Sequence, residues 1–241
     1  MKTAFVSGAS RGIGRGIATA LAAQGYALAL TCEKNIDALQ QLGEELHQTY
    51  GVQVLCFACD MGDAAAVESM AAEVLKTFPT MDVIVNNAGI SYVGLITDLS
   101  NEEWNRILSV NLSSAFYTTK AFLPAMIHAK YGRIINISSM WGTVGASCEV
   151  ADSATKGGIN AYTKALAKEV APSGITVNAI ACGVIDTDMN GHLDQDEKNA
   201  LMEESPMGRF GTPEDVAHAV LGILGCDYLT GQIITLDGGY L

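Results

Sequence analysis

The stretch CEVADSATKGG, residues 148–158, sets a carboxylic acid and an ammonium, Asp152 and Lys156, four residues apart. On a helix that spacing puts both on one face. Alone, the acid reads as a first-turn residue, favoured by the helix dipole and paired with Lys156. A cation at that distance pushes an aspartate toward carboxylate. Thirteen residues before Asp152 stands Ser139, the last hydroxyl of GRIINISS. Adjacent strand residues face opposite ways, so Ser139 and its neighbour Ser138 serve different surroundings, Ser138 being the structural one. A second kind of chemistry lies in SGASRGIG, which holds Gly8, Gly12 and Gly14. Glycines there permit a tight turn and bring backbone N–H groups close to a pyrophosphate at a helix N-terminus. The spacing is G-x-x-x-G-x-G rather than G-x-G-x-x-G.

The elements that must hold these groups alternate along the chain. Apolar runs at 3–7, 26–32, 52–58, 81–89, 132–139, 175–181 and 231–237 read as strands. Between them, helical patterns occupy 13–25 (ended by Gly25), 35–51, 63–77, a long stretch over 101–129, and 151–171, with shorter helices near 195–204 and 213–223. Strands that are apolar without alternation are covered on both faces. The pattern predicts an α/β protein: a single-domain Rossmann fold over 1–241, with a doubly wound parallel sheet of about seven strands and helices on both faces. A polar, acidic segment around 189–206 is the expected substrate lid.

Composition narrows the partners. With a net charge of −12 over 241 residues the chain repels nucleic acid and anionic membranes, so neither is an expected partner. No apolar run approaches the ~20 residues that span a bilayer, and the start leaves no room for a signal peptide, so a soluble, cytoplasmic protein is expected. Cys56 and Cys59 have redox spacing, but in a strand such residues face opposite ways, and no redox or metal role is expected. His47, His128, His192 and His218 lack metal-ligand spacing, so no metal is expected.

Six segments in order resemble the short-chain dehydrogenases/reductases: SGASRGIG (7–14), NNAG (86–89), VNLSS (110–114), GRIINISS (132–139), PMGRFGTPEDVA (206–217) and TGQIITLDGG (230–239). The likeness covers essentially the whole chain, and the nearest branch is the bacterial 3-oxoacyl-carrier-protein reductases. It implies reduction of a carbonyl, or oxidation of an alcohol, with a nicotinamide cofactor. Position by position, the resemblance makes Asn111 the holder of a water, Ser139 the donor to the substrate oxygen and Lys156 the binder of the nicotinamide ribose. It assigns cofactor contacts to Gly8, Ser10, Arg11, Gly12, Ile13 and Gly14, to Asp60 and Met61 near the adenine, to Asn86, Ala88 and Gly89, and to Val184, Ile185 and Thr187. The last loop begins Cys182-Gly183 where the family has Pro-Gly, which implies a freer backbone. Arg11 resembles the base that meets a 2′-phosphate, whereas Glu33 has the wrong charge for one. Charge complementarity favours NADP, with NAD possible. Met140 and Trp141 are candidates for the substrate pocket. Lys130 and Ser173 match two basic residues that carrier-protein reductases display at the site entrance, so an acyl-carrier protein is a weakened possibility. A homo-oligomer, dimer or tetramer, is also implied.

The family's catalytic tyrosine position holds Asp152. A phenol near pKa 10 keeps its proton at neutral pH, whereas holding one on an aspartate costs about 4 kcal/mol at pH 7 unless burial raises its pKa. A carboxylate cannot donate a proton, and it opposes a developing alkoxide. Tyr162 lies six residues after Lys156, at the wrong spacing to substitute. The expectation is an NADP-dependent reductase scaffold impaired at its acid. The alternatives are a non-catalytic NADP-binding subunit or sensor, and a reductase of imines, whose protonated form a carboxylate would stabilise.

Overall fold

The apolar runs pack by their alternation. In the computed structural model, which describes residues 1–191 and 194–241, β1 (Thr3–Val6) sends Ala4 and Val6 to one layer and Phe5 to the other. The same period of two sends Ile135 and Ile137 of β5 (Gly132–Ser139) one way and Ile134 the other. Seven strands result, with β2 (Ala27–Cys32), β3 (Val54–Ala58), β4 (Val83–Asn86), β6 (Ile175–Cys182) and β7 (Ile233–Leu236). All pairings are parallel and the order is β3-β2-β1-β4-β5-β6-β7, the single-domain doubly wound sheet expected from the sequence. The order reverses between β1 and β4, so a crevice opens there at the carboxyl ends of the strands.

Helices cover both faces. On one side lie α1 (Gly12–Ala23), α2 (Ile36–Tyr50) and α9 (Pro213–Leu224), whose Ile17, Leu21, Leu39, Val216 and Val220 are buried. The other side holds α3 (Ala64–Thr77), α5 (Ser114–Ala129) and α7 (Val150–Val170), with Phe122 and Met126 fully buried. Three more helices complete the set: α4 (Asn101–Leu108), the four-residue α6 (Trp141–Val144) and α8 (Gln195–Glu204). The short α6 carries too few residues to show a helical period, and the sequence pattern passes over it.

The stretch 101–129 is not one continuous α-helix. A π-helical turn, Ser109–Ser113, separates α4 from α5. Such turns occur where a side chain must be placed off the regular helical register, and this one holds Asn111.

Lys130 and Ser173 do not flank the crevice of their own chain. Lys130 caps α5 in the left-handed conformation just before β5, and Ser173 precedes β6. Both sit at the amino edge of the sheet, about 25 Å of strand from Ser139. The expected half-patch at the site entrance is therefore corrected: within one chain these residues serve the opposite end. Among the described residues, no helix is long and apolar enough to cross a membrane.

Phe122 is fully buried, with its ring centroid 5.2 Å from that of Phe5. Phe122→Ala should lower the unfolding free energy by about 3–5 kcal/mol in urea melts. A loss below 1 kcal/mol would show that this layer is not packed as described.

Candidate functional site

The crevice is a cleft of about 650 Å3, within the usual range for small-molecule sites. The glycine loop forms one wall. Gly8 and Gly12 have φ values of +66° and +53°, in the region that favours glycine. A Cβ on Gly14 would stand 2.3 Å from the Gly8 carbonyl oxygen, so only glycine lets the loop close on itself. The N-cap of α1 is Arg11, with no side-chain cap and no acid in the first turn. By contrast, α3, α4, α8 and α9 each have a side chain on their first N–H groups. The amino end of α1 thus presents backbone donors to the cleft, which fits an anionic pyrophosphate.

The loop is tied to the turn after β4. Ser7 Oγ accepts from the N–H groups of Asn87 and Ala88, both at 3.0 Å, and Asn87 Nδ2 donates to Ser7 O at 2.8 Å. Ser10, Arg11, Ile13, Ala88 and Gly89 all line the cleft, as do Asp60 and Met61. Asn86 does not. Its amide is turned into the sheet, donating to Asn136 Oδ1 at 2.8 Å, and Asn136 in turn donates to Thr163. Asn87 takes the position facing the cleft. Alternation along β4 explains the correction: Asn86 shares a face with Ile84, which belongs to the layer under α5 and α7.

At the other end Ser139, Asp152 and Lys156 meet, with Asn111 beside them. Ser138 and Ser139 both border the cleft, but the Ser138 hydroxyl is spent on Asn160 Oδ1 at 2.7 Å, whereas Ser139 Oγ accepts from Trp141 N–H at 3.2 Å. Met140 and Trp141 are also in the lining. Lys156 Nζ donates to the Ile137 carbonyl at 3.0 Å, leaving its remaining hydrogens toward the cleft.

Asp152 departs from expectation twice. It does not pair with Lys156; its Oδ1 accepts from Asn111 Nδ2 at 3.1 Å. The same amide donates to Ile90 O and accepts from Ile90 N–H, both at 2.8 Å, so Asn111 is spent on protein partners. In addition, burial pushes the Asp152 carboxyl above the usual aspartate range, and this outweighs the opposing pull of Lys156 and the Asn111 hydrogen bond. The sequence displays the cation, whereas the depth of burial is set by the fold. The helix start lies under the lip of the cleft, and only 9% of the residue is exposed.

Val184, Ile185 and Thr187 line the cleft beyond β6. The backbone here is not freed by the lost proline. Cys182 is the last residue of β6, paired with Ser139 on one side and Leu236 on the other, and its carbonyl accepts from Met140 N–H at 2.9 Å. Its thiol is pushed up to about 12 by burial, out of reach of thiolate chemistry. Burial likewise raises the thiols of Cys56 and Cys59, each to about 11. Among the described residues no His/Cys/Asp/Glu group could hold a metal; His192 lies outside them. Tyr162 packs against the layer under α5 and α7, away from the cleft.

Among the cleft residues that the sequence reading does not raise are Arg106, Glu149 and Ile90. Arg106 precedes the VNLSS motif by one helical turn, a proximity that could have raised it. Nothing in composition or spacing singles out the other two.

The fold and the glycine-walled cleft define a Rossmann-type protein of the oxidoreductase class. The short chain dehydrogenase model matches residues 2–198, and the chain belongs to that family. It is 39% identical over 241 residues to an uncharacterized oxidoreductase of Bacillus subtilis (strain 168), covering 99% of this chain and 98% of that one. It is 38% identical over 240 residues to a 3-oxoacyl-(acyl-carrier-protein) reductase of Escherichia coli (strain K12), covering 99% and 96%. A solved structure described as a short-chain alcohol dehydrogenase from Sinorhizobium meliloti 1021 superposes with a TM-score of 0.93 at 34% identity, over 99% of this chain and 96% of that one.

The raised Asp152 carboxyl has a consequence for stability. An acid whose folded pKa lies above its unfolded value stabilises the fold while protonated. That contribution is lost as pH rises from the unfolded value, near 3.9, through the folded one. Asp152→Asn keeps the acceptor for Asn111 and removes the titration. Its melting temperature should exceed the parent's by roughly 2–4 °C at pH 8, and by less at pH 4. Thermal melts in which the parent instead gains on the variant as pH rises would overturn this reading.

Proposed function

We propose that this chain binds NADP(H) and interconverts a small carbonyl compound and its alcohol, with the reduction slowed by Asp152. The observation that carries the proposal is the meeting of Ser139, Lys156 and a buried Asp152 at one end of a cleft whose other end is a glycine loop. When bound, the dinucleotide supplies hydride. The uncapped end of α1 holds the pyrophosphate, with Gly8, Gly12 and Gly14 keeping side chains out of its way. Lys156, fixed by the Ile137 carbonyl, meets the nicotinamide ribose, and Val184, Ile185 and Thr187 flank the ring. Ser139 donates to the substrate oxygen.

The proton to that oxygen must come from position 152. A carboxyl there is shorter than a phenol and is held back by Asn111, so its reach to the oxygen is poor. Its proton is nonetheless retained better than an exposed aspartate's, because the site is buried. Residues 189–206 form the lid in this proposal. Residues 192 and 193 lie outside the described set, and Met189 and Leu201 supply lining groups. The assembly is a homo-oligomer in the cytoplasm, and half-exposed Phe116 on α5 offers an apolar contact. A small substrate fits better than a carrier-bound one, since neither Lys130 nor Ser173 reaches this entrance in the same chain.

The test is NADPH binding and ketone turnover by the parent beside Asp152→Tyr. Both forms should bind NADPH, and the tyrosine form should turn over ketones about 10²–10⁴-fold faster. Residual parent turnover should rise as pH falls through the raised Asp152 pKa, because only the protonated carboxyl can donate. Cofactor binding without turnover by either form would favour a non-catalytic subunit or sensor. Imine reduction lost in the tyrosine form would favour an imine substrate. Failure to bind either nicotinamide dinucleotide would reject the proposal.

A further inference from the structure

The nucleotide end of the cleft holds a cation that the proposed chemistry leaves without a task. Arg106, on α4, places Nη1 2.9 and 2.8 Å from the two carboxylate oxygens of Asp60. Its Nη2 lies 3.3 Å from Glu33 Oε1. Asp60 Oδ1 also accepts from the Gly62 N–H at 2.8 Å, so this carboxylate is held from two directions. Gly62 makes the approach possible, since a Cβ there would come 2.7 Å from Arg106 Nη1. One guanidinium thus bridges the residue after β2 and the second residue after β3, with all three residues at the cleft wall. Arg106, Glu33 and Asp60 are between about a third and two-fifths exposed, which leaves their charges felt by a ligand in the cleft.

Glu33 directly follows Cys32, the last residue of β2, and is the acid nearest the end of that strand. An acid at the end of the second strand accepts from ribose hydroxyls and repels a 2′-phosphate. Here Glu33 is drawn toward α4 by Arg106, with Lys34 Nζ 3.9 Å from the same oxygen on the solvent side. Across the cleft Arg11 lies 3.4 Å from Asp188, in an exposed pair that a stronger anion can compete for. Arg106 and Lys34 together offset the charges of Glu33 and Asp60, so Glu33 opposes a 2′-phosphate less than an unpaired acid would.

We propose that Arg106 is a specificity-determining positioning residue: by holding Glu33 against α4 it withholds the acid that would select the unphosphorylated dinucleotide, and so shifts the choice toward NADP(H). The inference rests on the reading that the cleft binds a nicotinamide dinucleotide, but it is tested by a ratio of affinities and not by turnover.

The experiment is a double-mutant cycle on the full chain, with dissociation constants for NADPH and NADH measured by fluorescence titration at fixed ionic strength. Arg106→Gln should shift the NADPH-to-NADH affinity ratio about tenfold toward NADH, because the freed Glu33 then faces the ribose. Glu33→Gln should shift the ratio toward NADPH. In the double variant, loss of Glu33 should cancel most of the Arg106 effect, leaving the ratio within about threefold of that of Glu33→Gln alone. Arg106→Lys should recover part of the parental ratio. If Arg106→Gln weakens both dinucleotides equally, Arg106 is only a structural support and the proposal is wrong. An additive double variant would overturn it as well, since Arg106 would then not act through Glu33. If the parent binds neither dinucleotide, the proposed function fails first, a result distinct from a ratio that does not move.

Discussion

Parallel strands cannot be joined by tight turns, and the layout of this molecule follows from that constraint. Each strand must be carried back across the sheet by a helix, so every carboxyl end opens into a loop on the same edge. Where β1 and β4 lead their helices to opposite faces, the loops part and leave the cleft. The glycine loop, the Asn87 turn, Ser139 and the Val184–Thr187 loop all come from that edge. The hydrogen bonds from Asn87 and Ala88 to Ser7 then lock the two sides of the parting together.

Within that frame, Asn111 does for the reacting end what Ser7 does for the nucleotide end. Its single amide joins the loop after β4 to α7 through Ile90 and Asp152. The exchange of a phenol for a carboxylic acid at 152 has therefore not left a hole. The shorter side chain has been taken into a hydrogen-bonded network, buried deeply enough that solvation loss dominates its proton affinity.

Much of this was legible in the sequence. Strands buried on both faces announce themselves as unbroken apolar runs, and all seven were found within three residues of their observed ends. The glycine spacing located the loop that walls the cleft, because only a few residue types tolerate the backbone angles of Gly8 and Gly12. What could not be read depended on distance in three dimensions. Asn86 and Asn87 differ only in which way a strand points them. The proton affinity of Asp152 balances burial against a cation, and a sequence displays the cation but not the burial. Lys130 and Ser173 were placed by likeness to an entrance that, in one chain, lies a full strand length away. Arg106 acts through two residues more than forty positions upstream of it, which no local pattern records.

The π-helical turn at Ser109–Ser113 bears on which parts of the chain can change length. A wider turn is what a helix becomes when one extra residue is accommodated without breaking it. Upstream, α4 is fixed by Arg106 at the cleft; downstream, α5 is fixed by Phe122 in the core. Removing one residue between them would turn one anchor about 100° around the helix axis relative to the other. The segment therefore behaves as a gauge of set length, whereas insertions in the surface turns at the amino edge meet no such requirement.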